Sequence, residues 1–253
     1  HSELTQESRC KIAQGVLGIA VAYGRLQHCL QRLQRETDAP NLMELWKRQD
    51  ELILFESTEV VSLSTRLATT WSVPQWMAEN WLCQFGAMDA FQLGKAMAKP
   101  ARVTLRVNTL KTTRLELMEL LFQRHIRSIP TAESPVGLWL PDGRPPGGGV
   151  WQLPGYTEGF FEVQDEGSQL LALATEASSG EVVLDYCAGR GGKTWFLATL
   201  VAPKGTVCAW DIQEDLRKQL EGARAKRTLG EEHLHLVQVP KEKPQLQADV
   251  VLV

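Results

Sequence analysis

Val183-Leu184-Asp185-Tyr186-Cys187-Ala188-Gly189-Arg190-Gly191-Gly192-Lys193-Thr194 decides how this chain is read. A short apolar run ends at Asp185, a loop of small residues and glycines follows, and an apolar helical stretch begins at Thr194. Strand, Gly-rich loop and helix in that order bring backbone close to a nucleotide-like ligand at the carboxyl end of a strand. Glycines permit the close approach, and unpaired N–H groups at the helix start favour polar or anionic ligand atoms. The loop is not a phosphate cradle of the G-x-x-x-x-G-K-[ST] type, because Cys187 stands where the first glycine belongs. It is not G-x-G-x-x-G either. Its Gly-Gly-Lys-Thr tail, taken alone, leaves an NTPase reading open.

Working outward, strands and helices alternate. Glu181–Tyr186, Thr206–Asp211, His233–Val239 and Asp249–Val253 read as strands. Gln164–Ala174, Gly192–Val201 and Glu214–Leu229 read as helices, the last closed by Gly230. This pattern predicts a largely parallel, doubly wound sheet over residues 159–253. Asp211 ends the second strand, about 20 residues after the turn, where an acid accepts hydrogen bonds from ribose hydroxyls. The competing role for Asp211 is N-cap of the next helix.

Residues 71–158 read as a second, smaller α+β unit. Pro74 opens a helix carrying Trp76, Trp81 and Phe85, a trio expected in a core. Over Ala101–Val107, Val103, Leu105 and Val107 alternate with Arg102, Thr104 and Arg106, a strand pattern. A helix over Leu115–Arg124, a strand over Val136–Leu140 and a Pro/Gly-rich loop over Pro141–Gly149 complete it. Residues 1–70 read as helical. Ile12, Val16, Ile19, Tyr23, Leu26 and Leu30 form a stripe, and Asn41 is a candidate N-cap for a second helix through Trp46 and Leu54. A third helix is expected from Ser64–Thr70. This first segment suits an accessory or partner-docking role.

Length and composition fit globular domains: 253 residues, 43% hydrophobic and 23% charged. No run approaches the roughly 20 apolar residues of a membrane span; Gly15–Ala22 is too short. The five cysteines (Cys10, Cys29, Cys83, Cys187, Cys208) show no C-x-x-C spacing, which argues against zinc and for reduced, intracellular thiols. Cytoplasm, nucleolus and mitochondrion are not separated by these features. The net charge of −3 gives no global attraction to nucleic acid. Between Lys95 and Arg127, however, eight basic residues face only Glu116 and Glu119. Such a patch supplies phosphate contacts or, alternatively, a solvated face.

Four blocks in order carry a resemblance. Asp185-x-Cys187-Ala188-x-x-Gly191-Gly192-Lys193-Thr194 resembles the S-adenosylmethionine (SAM) loop of the Sun/Fmu family of RNA (cytosine-5)-methyltransferases. Gly159 to Leu170 is similar to the family's G-x-F-x-V-Q-D-E-A-S-Q-L block. Arg106-Val107-Asn108-Thr109-Leu110-Lys111 with Thr113-Arg114 matches R-V-N-T-L-K-x-T-R, and Pro74-x-Trp76 with Trp81-x-x-x-Phe85-Gly86 matches its upstream block. The resemblance implies a Rossmann-like SAM-methyltransferase domain, an RRM-like RNA-binding domain before it, and methyl transfer to ribosomal RNA. It implies that Cys187, Ala188, Gly189, Arg190, Gly191, Gly192 and Lys193 wrap the amino-acid part of SAM, with Asp211 and Arg217 nearby. It also implies RNA contacts from Arg102, Arg106, Asn108 and Lys111, with Arg106 and Asn108 alternatively orienting neighbouring chain.

Two departures stand out. Gly189-Arg190 replaces the family's Ala-Pro, and Val239-Pro240-Lys241 lacks the acid the family places after the third strand. Family enzymes attack carbon-6 of cytosine with a cysteine thiolate and release product with a second cysteine. Both belong to motifs beyond the fourth strand, where this sequence stops, so the chain is expected to be part of a longer protein. A catalytically inactive relative serving as a ribosome-assembly scaffold is the alternative.

Overall fold

The computed structural model describes residues 5–48, 61–99, 101–143, 149–220 and 222–253. They form two compact units that divide after Ala101.

The first unit is helical: α1 (Gln6–Arg32), α2 (Ala39–Lys47), α3 (Leu63–Trp71) and α4 (Gln75–Met97). Leu26 and Leu30 of α1 pack with Leu42 and Leu45 of α2, as the stripe predicts, but Ile12, Val16 and Tyr23 are exposed. Asp38, not Asn41, caps α2: its carboxylate accepts the Asn41 N–H at 2.9 Å, and Pro40 occupies the first turn without losing a hydrogen bond. Leu54 lies outside the described residues. Ser62 caps α3, and Ser72 ends it in the left-handed region. The expected boundary at residue 70 separates α3 from α4, yet Leu67 and Trp71 pack with Ala78 and Trp81. The Trp76, Trp81, Phe85 trio is not one core. Five residues turn a helix through about 140° past a full revolution, so Trp76, 63% exposed, looks away from Trp81. Phe85 is also exposed, beside the break in α4 at Gly86 (φ 74°).

The second unit carries two sheets. The first contains β1 (Val103–Val107), β2 (Ile129–Pro130), β3 (Gly137–Leu140) and β4 (Phe161–Val163), with α5 (Arg114–Phe122) after β1. Its order is β2-β3-β1-β4, all antiparallel. A capping box starts α5: Thr113 accepts the Glu116 N–H while Glu116 accepts the Thr113 N–H. Leu105 and Val107 pack against Leu117 and Leu121 of α5. The expected boundary at 158 falls inside this sheet, because β4 returns to pair with β1, Arg106 opposite Glu162.

The second sheet is parallel, order β7-β6-β5-β8, built from β5 (Val182–Asp185), β6 (Thr206–Ala209), β7 (Val237–Gln238) and β8 (Val250–Leu252). Helix α6 (Glu166–Leu173) precedes it, α7 (Thr194–Val201) joins β5 to β6, and α8 (Glu214–Leu220) and α9 (Ala223–Leu229) follow β6. Six of the eight residues of α7 are buried, which is why its sequence is apolar all round. Two sequence expectations change here. The single helix over Glu214–Leu229 is two, with Gly222 as N-cap of the second. Most of the expected third strand is a 3-10 turn, Glu231–Leu236, leaving Val237–Gln238 as strand. Gly230, at φ 77°, ends α9 as expected. Among the described residues no helix is long and apolar enough to cross a membrane.

Candidate cofactor and substrate cleft

The central strand β5 delivers Asp185 to the sheet's carboxyl edge, where it is buried and accepts a 2.7 Å hydrogen bond from the Thr194 hydroxyl at the start of α7. Burial pushes the Asp185 carboxyl up from its usual range, opposed by the Thr194 hydroxyl and by Lys193. Strand and helix are thereby tied across the loop. Within the loop the Ala188 N–H bonds the Trp210 carbonyl at 3.0 Å, and the Gly191 N–H bonds the Ala188 carbonyl at 2.9 Å. Gly191 is the position where glycine is obligatory: φ is 79°, and a Cβ would lie 2.5 Å from the Trp195 ring.

Asp211 lies just past β6. One carboxylate oxygen accepts the Gly189 N–H and the other the Gln213 N–H, each at 2.9 Å. It thereby fixes the loop and the chain entering α8; because α8 begins at Glu214, Asp211 is not the N-cap of that helix but closes a turn two residues before it. Each oxygen keeps a second lone pair for a ligand hydroxyl. Arg217 donates to the Asp211 and Ile212 carbonyls and stands 5.8 Å from the Trp210 ring centre, so it orders the site's edge. The exposed Arg190 offers its carbonyl to Arg224 at 3.0 Å.

A cleft of about 290 Å³ opens in front of this loop. One wall is Cys187, Ala188, Gly192 and Lys193; the other is Val163, Gln164, Asp165 and Ser168, with Asp185 also lining it. In the first turn of α7 the Trp195 and Leu197 N–H groups are taken by the Gly191 and Lys193 carbonyls, while the positive end of the helix dipole beside the cleft suits a carboxylate. The second wall is not among the site residues expected from sequence, although the Gln164-Asp165-Glu166 run is legible there as a motif. Cys187 is exposed. Cys208 is buried, and burial pushes its thiol up, away from nucleophilic use. Among the described residues no cluster suits a metal ion.

Of the four expected RNA contacts, Arg106 and Asn108 are buried, Lys111 is half-buried and Arg102 is exposed. Arg106 is fully buried, its guanidinium 4.7 Å from the centre of the Phe196 ring. Burial lowers its pKa to about 10, with Glu162 raising and Arg224 lowering it. Asn108 is also fully buried: its amide donates to the Gly159 and Thr228 carbonyls, and its oxygen accepts the Leu110 N–H. Lys111 donates to the Glu158 carbonyl at 3.0 Å and the Arg227 carbonyl at 2.6 Å. Asn108 and Lys111 thus tie the chain after β1 to the carbonyls of α9. The reason for the burial of Arg106 is visible in β1, which has both faces covered, so its polar positions are interior. Elsewhere in the basic patch, Arg114 donates to the Ser134 carbonyl and Arg127 pairs with Asp142. Arg102 remains exposed, with its guanidinium 4.7 Å from the Trp139 ring centre.

This arrangement of fold and site is that of a Rossmann-like methyltransferase domain following a ferredoxin-like domain. The ferredoxin-like domain of RsmF/B-like methyltransferases matches residues 73–145, and the 16S rRNA methyltransferase RsmB/F family matches residues 171–252. The chain belongs to this family, the Sun/Fmu methyltransferases. It is 32% identical over 145 residues to a probable ribosomal RNA small subunit methyltransferase B of Synechocystis, covering 57% of this chain and 32% of that protein. It is 27% identical over 204 residues to a human 28S rRNA (cytosine(4447)-C(5))-methyltransferase, covering 75% of this chain and 25% of that one. The chain thus spans about a third or less of the curated relatives it matches. The crystal structure of PH0851 superposes with a TM-score of 0.63 at 24% identity over 81% of this chain and 44% of that chain. NSun6 from Pyrococcus horikoshii, solved with SFG, gives 0.62 at 18% identity over 71% and 70%.

Proposed function

We propose that this chain is the SAM-binding and RNA-facing part of a ribosomal RNA (cytosine-5)-methyltransferase. The observation that carries the reading is the loop from Cys187 to Lys193, pinned by Thr194 to Asp185 and by Gly189 to Asp211. In this reading Asp211 takes ribose hydroxyls and the first turn of α7 takes the amino-acid carboxylate. SAM held there supplies an electrophilic methyl group on its sulfonium. The names of the relatives, ribosomal RNA methyltransferases and cytosine-C5 enzymes among them, support rRNA as the substrate class. Arg102, exposed beside Trp139, is proposed to meet RNA. The helical unit is proposed to dock a protein or pre-ribosomal partner.

Isothermal titration with SAM tests the reading directly. Saturable binding that Asp211→Ala weakens at least about tenfold, the size expected for one charge-assisted hydrogen bond, supports it. No binding removes it. Mass spectrometry of rRNA incubated with the full-length protein and SAM must then show 5-methylcytosine. Val239-Pro240-Lys241, without an acid after β7, favours the second reading, a non-catalytic rRNA-binding scaffold. That reading is retained if RNA binds and SAM does not.

A further inference from the structure

The cleft has a wall that the cofactor reading leaves unused. Gln164, at the end of β4, is 8% exposed, and its side-chain oxygen is buried without a partner. Its orientation is fixed, because its amide nitrogen donates to the Gly192 carbonyl at 3.1 Å, and a carbonyl accepts only from the NH₂ side. The free atom is therefore an acceptor. Asp165 beside it uses one carboxylate oxygen to cap α6 through the Gly167 N–H at 2.9 Å; its other oxygen has no partner among the described residues. Ser168 adds a hydroxyl one turn along α6, on the same wall. An unpaired buried acceptor is a costly arrangement that a ligand donor resolves.

From this wall we infer that Gln164 and Asp165 form a subsite for the amino edge of the pyrimidine to be methylated, which the wall holds facing the cofactor loop. The inference rests on the proposed function and deepens it by naming the group recognised. A flipped cytosine presents its 4-amino group as a donor and ring N3 as an acceptor. The Gln164 oxygen and the free Asp165 oxygen accept from the amino group, and the Ser168 hydroxyl donates to N3. Uracil presents a carbonyl oxygen at the same place, so two acceptors meet and the wall rejects it. The Gln164 to Gly192 bond also places the wall at a set distance from the loop that holds the methyl donor.

The test uses cytidine and uridine monophosphates as probes on the whole chain, with and without S-adenosylhomocysteine. Binding is followed by NMR at the Gln164 side-chain amide and the Gly192 backbone amide. CMP is expected to bind about tenfold tighter than UMP, the discrimination of one good base-edge pair. Asp165→Asn keeps the helix cap but offers a donor, and should bring the ratio to about one. Gln164→Met should do the same. A role that merely supports the fold lowers both affinities together and leaves the ratio unchanged, which overturns the inference. So does a CMP to UMP ratio near one in the unaltered chain, or an Asp165→Asn variant that loses S-adenosylhomocysteine and keeps the ratio. If S-adenosylhomocysteine fails to bind while CMP preference persists, the function reading falls and the subsite stands.

Discussion

The two sheets of the second unit use polar residues in opposite ways. The antiparallel sheet buries them along its strands: Thr104 and Arg106 on β1, Asn108 just past it and Glu162 on β4 are all interior. The parallel sheet keeps its strands apolar and places its carboxylates, Asp185 and Asp211, at or just past strand ends, beside the loop. Glu162 is the centre of the first pattern. It accepts from Arg224 at 2.9 Å, from Arg227 and from the Thr228 hydroxyl at 2.6 Å, all on α9 of the parallel layer. Charge in this fold therefore does two jobs, cementing layers in one sheet and fixing the loop at the strand ends in the other.

The sharpest way to break this contrast is Glu162→Ala. It strands Arg224 and Arg227 without their carboxylate, and the loss should be about 3–5 kcal/mol, as for breaking a buried pair. Urea unfolding measures it, and a loss below about 1 kcal/mol, the level of an exposed pair, would show that Glu162 is not the cement. Asn108→Ala follows, at about 1–3 kcal/mol for leaving buried carbonyls unpaired, with SAM affinity unchanged in the population that stays folded.

Thr194→Val should act on the other sheet. It removes the hydroxyl that opposes burial at Asp185, so the Asp185 carboxyl titrates higher still. Burial raises the folded-state pKa above the unfolded value, so Asp185 favours the fold when protonated and that favour is lost as pH rises through the folded pKa. The variant should lose more stability at neutral pH than at acid pH; equal losses at both would detach Asp185 from the effect. The smallest effect belongs to Arg102→Ala. If Arg102 contacts RNA as proposed, removing this exposed cation should lower the salt dependence of RNA binding by about one unit of slope and leave stability unchanged.

The parallel sheet is the more legible of the two. Asp185, Gly191 and Asp211 carry local meaning, because a strand end, a tight turn and an acid about 20 residues on are readable within one βαβ unit. The antiparallel sheet hides its logic because its partners are distant in sequence. β4 has three residues with a glutamate in the middle, and nothing near Glu162 announces that Arg224 and Arg227 will meet it. Arg106 alternates with apolar neighbours as an outward residue would, and only the second layer over β1 turns it inward. The His233 to Val239 run fails for a different reason. Its apolar residues alternate as in a strand, but Gly230 redirects the backbone and a 3-10 turn follows.

Helix α9 has seven residues, too few to persist in water alone. Two of its last carbonyls, those of Arg227 and Thr228, are held by Lys111 and Asn108, residues that follow β1. Although the chain delivers α9 with the parallel layer, part of its ending is supplied by the antiparallel one. Its backbone amides should therefore open to solvent deuterium together with those of β1 and β4. A substitution at Asn108 should speed exchange along α9 before it reaches β5 and β6, making this helix the reporter of whether the two layers are joined.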